Sequence, residues 1–162
     1  MKSINFEFIH EWIIVYDGKN INSSLEFDNP KIKQYIYLDE TSIRGNAQRN
    51  FALKSLENYQ GYIYFLDDDN YIHPSFYKLI NHLEPGNIYT FNQENKLKGN
   101  KILPCCIDTA MFLIDFDLMK GIEWKNDVYE ADGLFIYEIY NKYPEKWIYV
   151  NNTLCYYNKI MN

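Results

Sequence analysis

Apolar residues in this chain fall into short runs separated by amphipathic or polar stretches. The runs at 12–16 (Trp-Ile-Ile-Val-Tyr) and 62–66 (Tyr-Ile-Tyr-Phe-Leu) are uninterrupted and end on Asp17-Gly18 and on Asp67. Runs of this length, closed by turn residues or acids, predict strands buried on both faces. Further strands are expected at 35–38, 88–91, 110–114, 148–150 and 154–157. Ala47, Phe51, Ala52, Leu56 and Tyr59 fall near one helical stripe, which predicts a helix opening near Gly45 and Asn46. A second helix should carry Pro74 in its first turn and stop before Pro85-Gly86. A third should begin in the acid-rich Glu130-Ala-Asp-Gly and continue on Leu134, Phe135 and Ile139. Residues 3–10 fit a short helix or a strand, 19–33 read as a polar loop, and 96–101 as a hairpin tip or mobile loop. Strands alternating with helices predict a single α/β domain over 1–162, with a mostly parallel central sheet and helices on both faces. Residues 62–66 should form a central strand.

The strand at 62–66 leads into three consecutive carboxylates, Asp67, Asp68 and Asp69. A fold gains nothing from three such neighbours, which repel more strongly when desolvated. A divalent cation removes that cost, and Mg²⁺ or Mn²⁺ takes carboxylate oxygen. In open α/β sheets ligands sit beyond the carboxyl ends of strands, where this run ends and where Asp17 also stands. An acidic, solvated turn is the plain alternative. Arg44 and Arg49 flank the expected start of the first helix, a place that favours anions; each alone fits a solvated helix surface equally well. His73 and His82 read as helix-end and surface residues.

The 162 residues carry 16 basic against 22 acidic side chains, a net charge of −6 without a long basic run, which argues against a broad nucleic-acid surface. Aromatics make up 18%, including 16 tyrosines. Alongside frequent Asn, Ile and Lys, that reads first as a compositional bias and only second as stacking surface. Cys105, Cys106 and Cys155 show no zinc spacing and suggest reduced thiols in a cytoplasmic, reducing compartment. No apolar run reaches membrane-spanning length, and no signal peptide or membrane anchor is read at the start.

Four stretches together resemble one family: Trp12-Ile-Ile-Val-Tyr-Asp17, Arg44-Gly-Asn-Ala-Gln-Arg-Asn-Phe-Ala-Leu53, Gly61-Tyr-Ile-Tyr-Phe-Leu-Asp-Asp-Asp-Asn-Tyr71 and Asp108-Thr-Ala-Met-Phe112. The chain is similar to nucleotide-sugar glycosyltransferases of the GT-A type with an Asp-x-Asp motif, and within them to the inverting β-1,3-glucuronyltransferases. The likeness covers roughly residues 10–157. It implies a GT-A-like, Rossmann-like fold, a nucleoside-diphosphate sugar donor (UDP foremost), a glycan or glycoprotein acceptor, and Mn²⁺ or Mg²⁺. Asp17 is thereby placed at the nucleobase, and Arg44 and Arg49 at the nucleoside diphosphate. Asp67 and Asp68 would approach base and ribose, Asp69, with Asp67 beside it, the metal, and Asp108 the acceptor. The family's catalytic base falls at Ala131, between Glu130 and Asp132; Asp132, just before Leu134-Phe135, is the preferred base and Glu130 the second choice.

Two departures bear on donor binding. The family begins with an earlier strand and helix, so half of its base pocket is missing or rebuilt here. It also closes with a His beside the diphosphate, where this chain has Cys155-Tyr-Tyr-Asn158. The implied reaction is metal-dependent, inverting displacement of the diphosphate by an acceptor hydroxyl. A degenerate nucleotide- or glycan-binding module of the same fold is the first alternative. A nucleotidyltransferase is the second, weakened by the lack of a Gly-rich basic loop near the N-terminus.

Overall fold

The computed structural model describes residues 3–18, 26–38, 44–56, 58–94 and 96–157; residues 19–25 of the expected polar loop, and Asn158, lie outside them. Two sheets form. In the first, β1 (Trp12–Asp17) pairs in parallel with β2 (Ile32–Tyr37), in register from Trp12–Ile32 to Asp17–Tyr37. β2 starts inside the stretch expected to be loop, because Lys33 and Gln34 hide a strand whose residues are largely exposed. Then come α1 (Asn46–Lys54), β3 (Tyr62–Tyr64), β4 (Tyr71–Ile72), α2 (Phe76–Ile80) and β5 (Ile88–Gln93). The chain closes with β6 (Phe112–Asp115), α3 (Phe116–Met119), α4 (Ala131–Lys142) and β7 (Trp147–Tyr156). Residues 110–111, expected in a strand, belong to a 3₁₀ turn, Thr109–Met111, that feeds β6. The two expected C-terminal strands are one, running through exposed Asn151 and Asn152. Residues 3–10 take neither regular form; Tyr77 holds them, accepting from the Asn5 N–H and donating to the Ser3 carbonyl, both at 2.7 Å.

The second sheet has five strands in the order β3-β6-β5-β7-β4. Only β5 and β7 pair in parallel; β3–β6, β5–β6 and β4–β7 are antiparallel. The expected mostly parallel, GT-A-like (Rossmann-like) sheet is therefore wrong, and the fold is mixed α/β with short helices. The strand expected at the centre is wrong in place as well. It ends at Tyr64 and lies on the rim of the five-stranded sheet. The cause is visible in β6. Its four residues are all buried, and the first three continue the apolar run that a parallel strand would also give, so burial announces a strand but not its direction.

The core sits between this sheet and α4. Ala131, Phe135, Ile136 and Ile139 turn one helix face inward. Phe135 stacks on Trp124 at 4.5 Å between centroids and 13° between planes, and Phe65 meets Trp124 edge-on at 5.0 Å. Strand direction then places the chemistry. β3, β5 and β7 point the same way and β6 runs against them, so the start of β6 lies beside the ends of β3 and β5. Residues following β3, residues preceding β6 and residues following β5 share one edge.

Candidate active site

Phe65, held in the aromatic cluster, anchors the chain just before the carboxylates. Asp67 to Asp69 then make a tight turn, closed by the Asn70 N–H donating to the Asp67 carbonyl at 3.1 Å. Asp68 is exposed; Asp67 and Asp69 are partly buried. Burial first, and then the charges of Asp67 and Asp68, raise the Asp69 carboxyl above its ordinary pKa. That crowding is the condition a bound cation relieves. Among the described residues, however, no group of three His, Cys, Asp or Glu side chains is arranged to hold an ion alone. Carboxylate oxygen is the donor a hard cation takes, and Mg²⁺ sites commonly complete their shell with phosphate oxygens.

The turn into α1 is left-handed at two successive residues, Arg44 with φ 52° and Gly45 with φ 79°. Gly adopts this conformation freely and Arg does not. The turn brings the Arg44 carbonyl to Arg49, whose Nη1 donates to it at 2.9 Å and to Asn46 Oδ1 at 3.0 Å. The other Arg49 nitrogen, Nη2, pairs with the Asp67 carboxylate, and the guanidinium lies 4.7 Å above the Trp124 ring. Arg49 therefore directs three hydrogen bonds to the protein and braces Asp67. Arg44 is exposed, 4.0 Å from the ring centre of exposed Tyr129.

Asp132 stands in the first turn of α4, its Oδ1 accepting from the Gly133 N–H at 2.8 Å. Its carboxyl is pushed up to about pH 6 by burial and, less, by the charges of Asp108 and Asp67; the Gly133 N–H and Arg49 pull the other way. Glu130 is the exposed N-cap residue and makes no side-chain cap hydrogen bond. Gly133 faces the carbonyl of Pro104 so closely that an added Cβ would stand 1.8 Å from that oxygen, so the 104–106 turn is pressed onto the helix start. Asp108 caps the 3₁₀ turn by accepting from Ala110 N–H and takes a 3.1 Å salt bridge from Lys96. The Lys96 ammonium also lies 3.2 Å from the centre of the Tyr157 ring.

A cavity of about 1600 Å³ brings these groups together: Asp17, Arg44, Arg49, Asp67, Asp68, Asp69, Asp108, Glu130 and Asp132 all line it. Asp17 reaches it from the separate two-stranded sheet. Several residues that shape the site were not singled out from the sequence. Asn46 donates to the carbonyls of Lys125 at 2.9 Å and Val128 at 3.5 Å. Asn50 donates to the Trp124 carbonyl at 2.9 Å and accepts from its N–H at 2.8 Å. Together they tie α1 to the segment leading into α4. Their signal was available, two amides one turn apart beside an apolar stripe. Lys96, read as loop tip, carried no signal of its partner Asp108, twelve residues on.

A scan against protein-family models found no match, and a search of curated proteins found none either. No described helix is long and apolar enough to cross a membrane.

Proposed function

We propose that the chain is a metal-dependent glycosyltransferase that moves a sugar from a nucleoside diphosphate to an acceptor hydroxyl with inversion. One observation carries the reading. A partly buried carboxylate whose pKa is pushed up to about 6, Asp132, faces Asp67, Asp108 and Arg49 in the cavity that also holds Asp68 and Asp69. Burial raises the pKa of both the Asp132 and the Asp69 carboxyls; in this reading Asp132 serves as base and Asp69 as ligand. The resemblance to inverting β-1,3-glucuronyltransferases supplies the donor class, UDP-sugar foremost, and the glycan or glycoprotein acceptor.

In this reading Asp132 accepts the proton of the acceptor hydroxyl as its oxygen attacks the anomeric carbon, and the bond to the diphosphate breaks on the opposite side. Asp108, steadied by Lys96, orients the acceptor, while Arg49 holds Asp67 in place. Mn²⁺ or Mg²⁺, bound by Asp69 with Asp67 beside it and completed by diphosphate oxygens, would supply charge neutralisation of the leaving group. Asp17 and Arg44 contact the nucleoside end.

Arg49 is already bound to Asp67 and Asn46, which favours the binding module as second reading, since one cation expected at the diphosphate is engaged elsewhere. Incubation with a panel of UDP-sugars, Mn²⁺ and a mixed glycan acceptor separates the readings. Transfer releases UDP. A binding module raises the melting temperature with UDP and Mn²⁺ but releases nothing, and a nucleotidyltransferase given nucleoside triphosphate releases pyrophosphate.

A further inference from the structure

The cavity is lined on one side by every residue from Glu11 to Asp17 and on the other by every residue from Tyr62 to Ile72. Side chains of a strand alternate between its faces, so a space touched by consecutive residues meets the strand's edge. Among the described residues β1 pairs only with β2, and β3 only with β6. Two strand edges thus open onto one space, each with a row of backbone N–H and C=O groups. Open edges of apolar strands are templates for pairing with another chain. The walls between them are apolar: Ala52 and Leu53 of α1, and Phe76 and Ile80 of α2.

We propose that this space is the docking site for an extended strand of a partner polypeptide, which pairs with β1 and β3 at once and joins the two sheets. Backbone pairing on both sides requires an extended chain rather than a helix or a small ligand. The occupant's chemistry follows from the lining. Its middle residues are uncharged and apolar on both faces, because Ile13, Ile14 and Val15 on one edge and Ile63, Tyr64 and Phe65 on the other carry no charge. Its ends are basic rather than acidic, because carboxylates outnumber cations around the cavity even with Asp67 paired to Arg49, Glu11 and exposed Asp68 among them. The proposal does not depend on sugar transfer.

The test uses the full chain and a capped heptapeptide, Ac-Lys-Val-Ile-Val-Ile-Val-Lys-NH₂, read by amide hydrogen exchange. Binding should slow exchange about tenfold or more in both Trp12–Asp17 and Tyr62–Tyr64. The same peptide N-methylated at alternate residues, which keeps the side chains but removes donors on one side, should bind about tenfold more weakly. Ala52→Trp, which fills the space from α1, should weaken binding while circular dichroism stays unchanged. Protection of one edge only, no protection, or equal binding of the N-methylated peptide overturns the proposal. Concentration-dependent protection of both edges without peptide overturns it too, by making a second copy of the chain the occupant.

Discussion

In the proposed reading Asp132 is the residue on which the chemistry turns, and its raised pKa makes two separable predictions. As a base it works only when ionised, so kcat/KM should fall on the acid side with an apparent pKa of about 6. Asp132→Asn should lower kcat by about 10²–10⁴-fold, the usual worth of general-base help, while UDP affinity stays near wild type. Its stability effect has the opposite sign from that of a salt-bridged acid. The folded-state value of about 6 exceeds the ordinary 3.8, so the folded protein binds this proton more firmly. The group's contribution to stability is therefore full below about pH 4 and lost as pH rises through about 6. Asp132→Asn should be more stable than wild type above about pH 7, by on the order of 2–3 kcal/mol, and the gap should close below about pH 4. Thermal melts of both proteins across that range check it. A variant that loses turnover while gaining stability at neutral pH separates a functional carboxylate from a merely structural one.

Asn50 lies at the other extreme, buried and bonded only within the protein. Removing its amide strands the Trp124 backbone N–H, which donates to Asn50 Oδ1 and to no other acceptor among the described residues. Asn50→Ala should cost about 1–3 kcal/mol by leaving a buried donor unpaired, measurable by urea denaturation.

At the scale of elements, α4 and the 104–106 turn form one unit, because Gly133 lets the Pro104 carbonyl approach the helix. Gly133→Ala would favour the helix by propensity, yet its methyl must push that backbone away. The steric term should win by about 1–3 kcal/mol, lowering the melting temperature and shifting the Asp132 acid limb. What could be read from the sequence at this scale is uneven for physical reasons. Runs of apolar residues marked β1, β3, β5 and β6, and the stripe in 46–56 marked α1, because burial leaves its period in the chain. β2 was read short because its exposed residues leave none. α3 and β4 were missed because four residues and two residues are too few to show a period. Strand direction was misread in β6, since an antiparallel strand buried on both faces has the composition of a parallel one.

For the whole molecule, the reversal of β6 matters more than the count of strands. It puts the start of one strand beside the ends of two others, which is how Asp108 comes to share an edge with the Asp67–Asp69 turn and Lys96. The grouping of candidate residues around one cavity could be expected from the motifs, whereas their wiring could not. Arg49 is spent on Asp67, and Asn46 and Asn50 reach across more than seventy residues to the approach to α4. Such contacts depend on tertiary structure and leave no local trace.

The central claim is that the carboxylate edge holds a nucleoside diphosphate through a divalent cation, next to Asp132. Calorimetric titration of UDP into the protein, with Mn²⁺ and with a chelator, tests it most directly. Wild type should bind UDP in the presence of Mn²⁺ and lose at least about tenfold in affinity without it, and Asp69→Asn should lose a similar factor with Mn²⁺ present. UDP binding that is indifferent to Mn²⁺, or undiminished in Asp69→Asn, would contradict the claim.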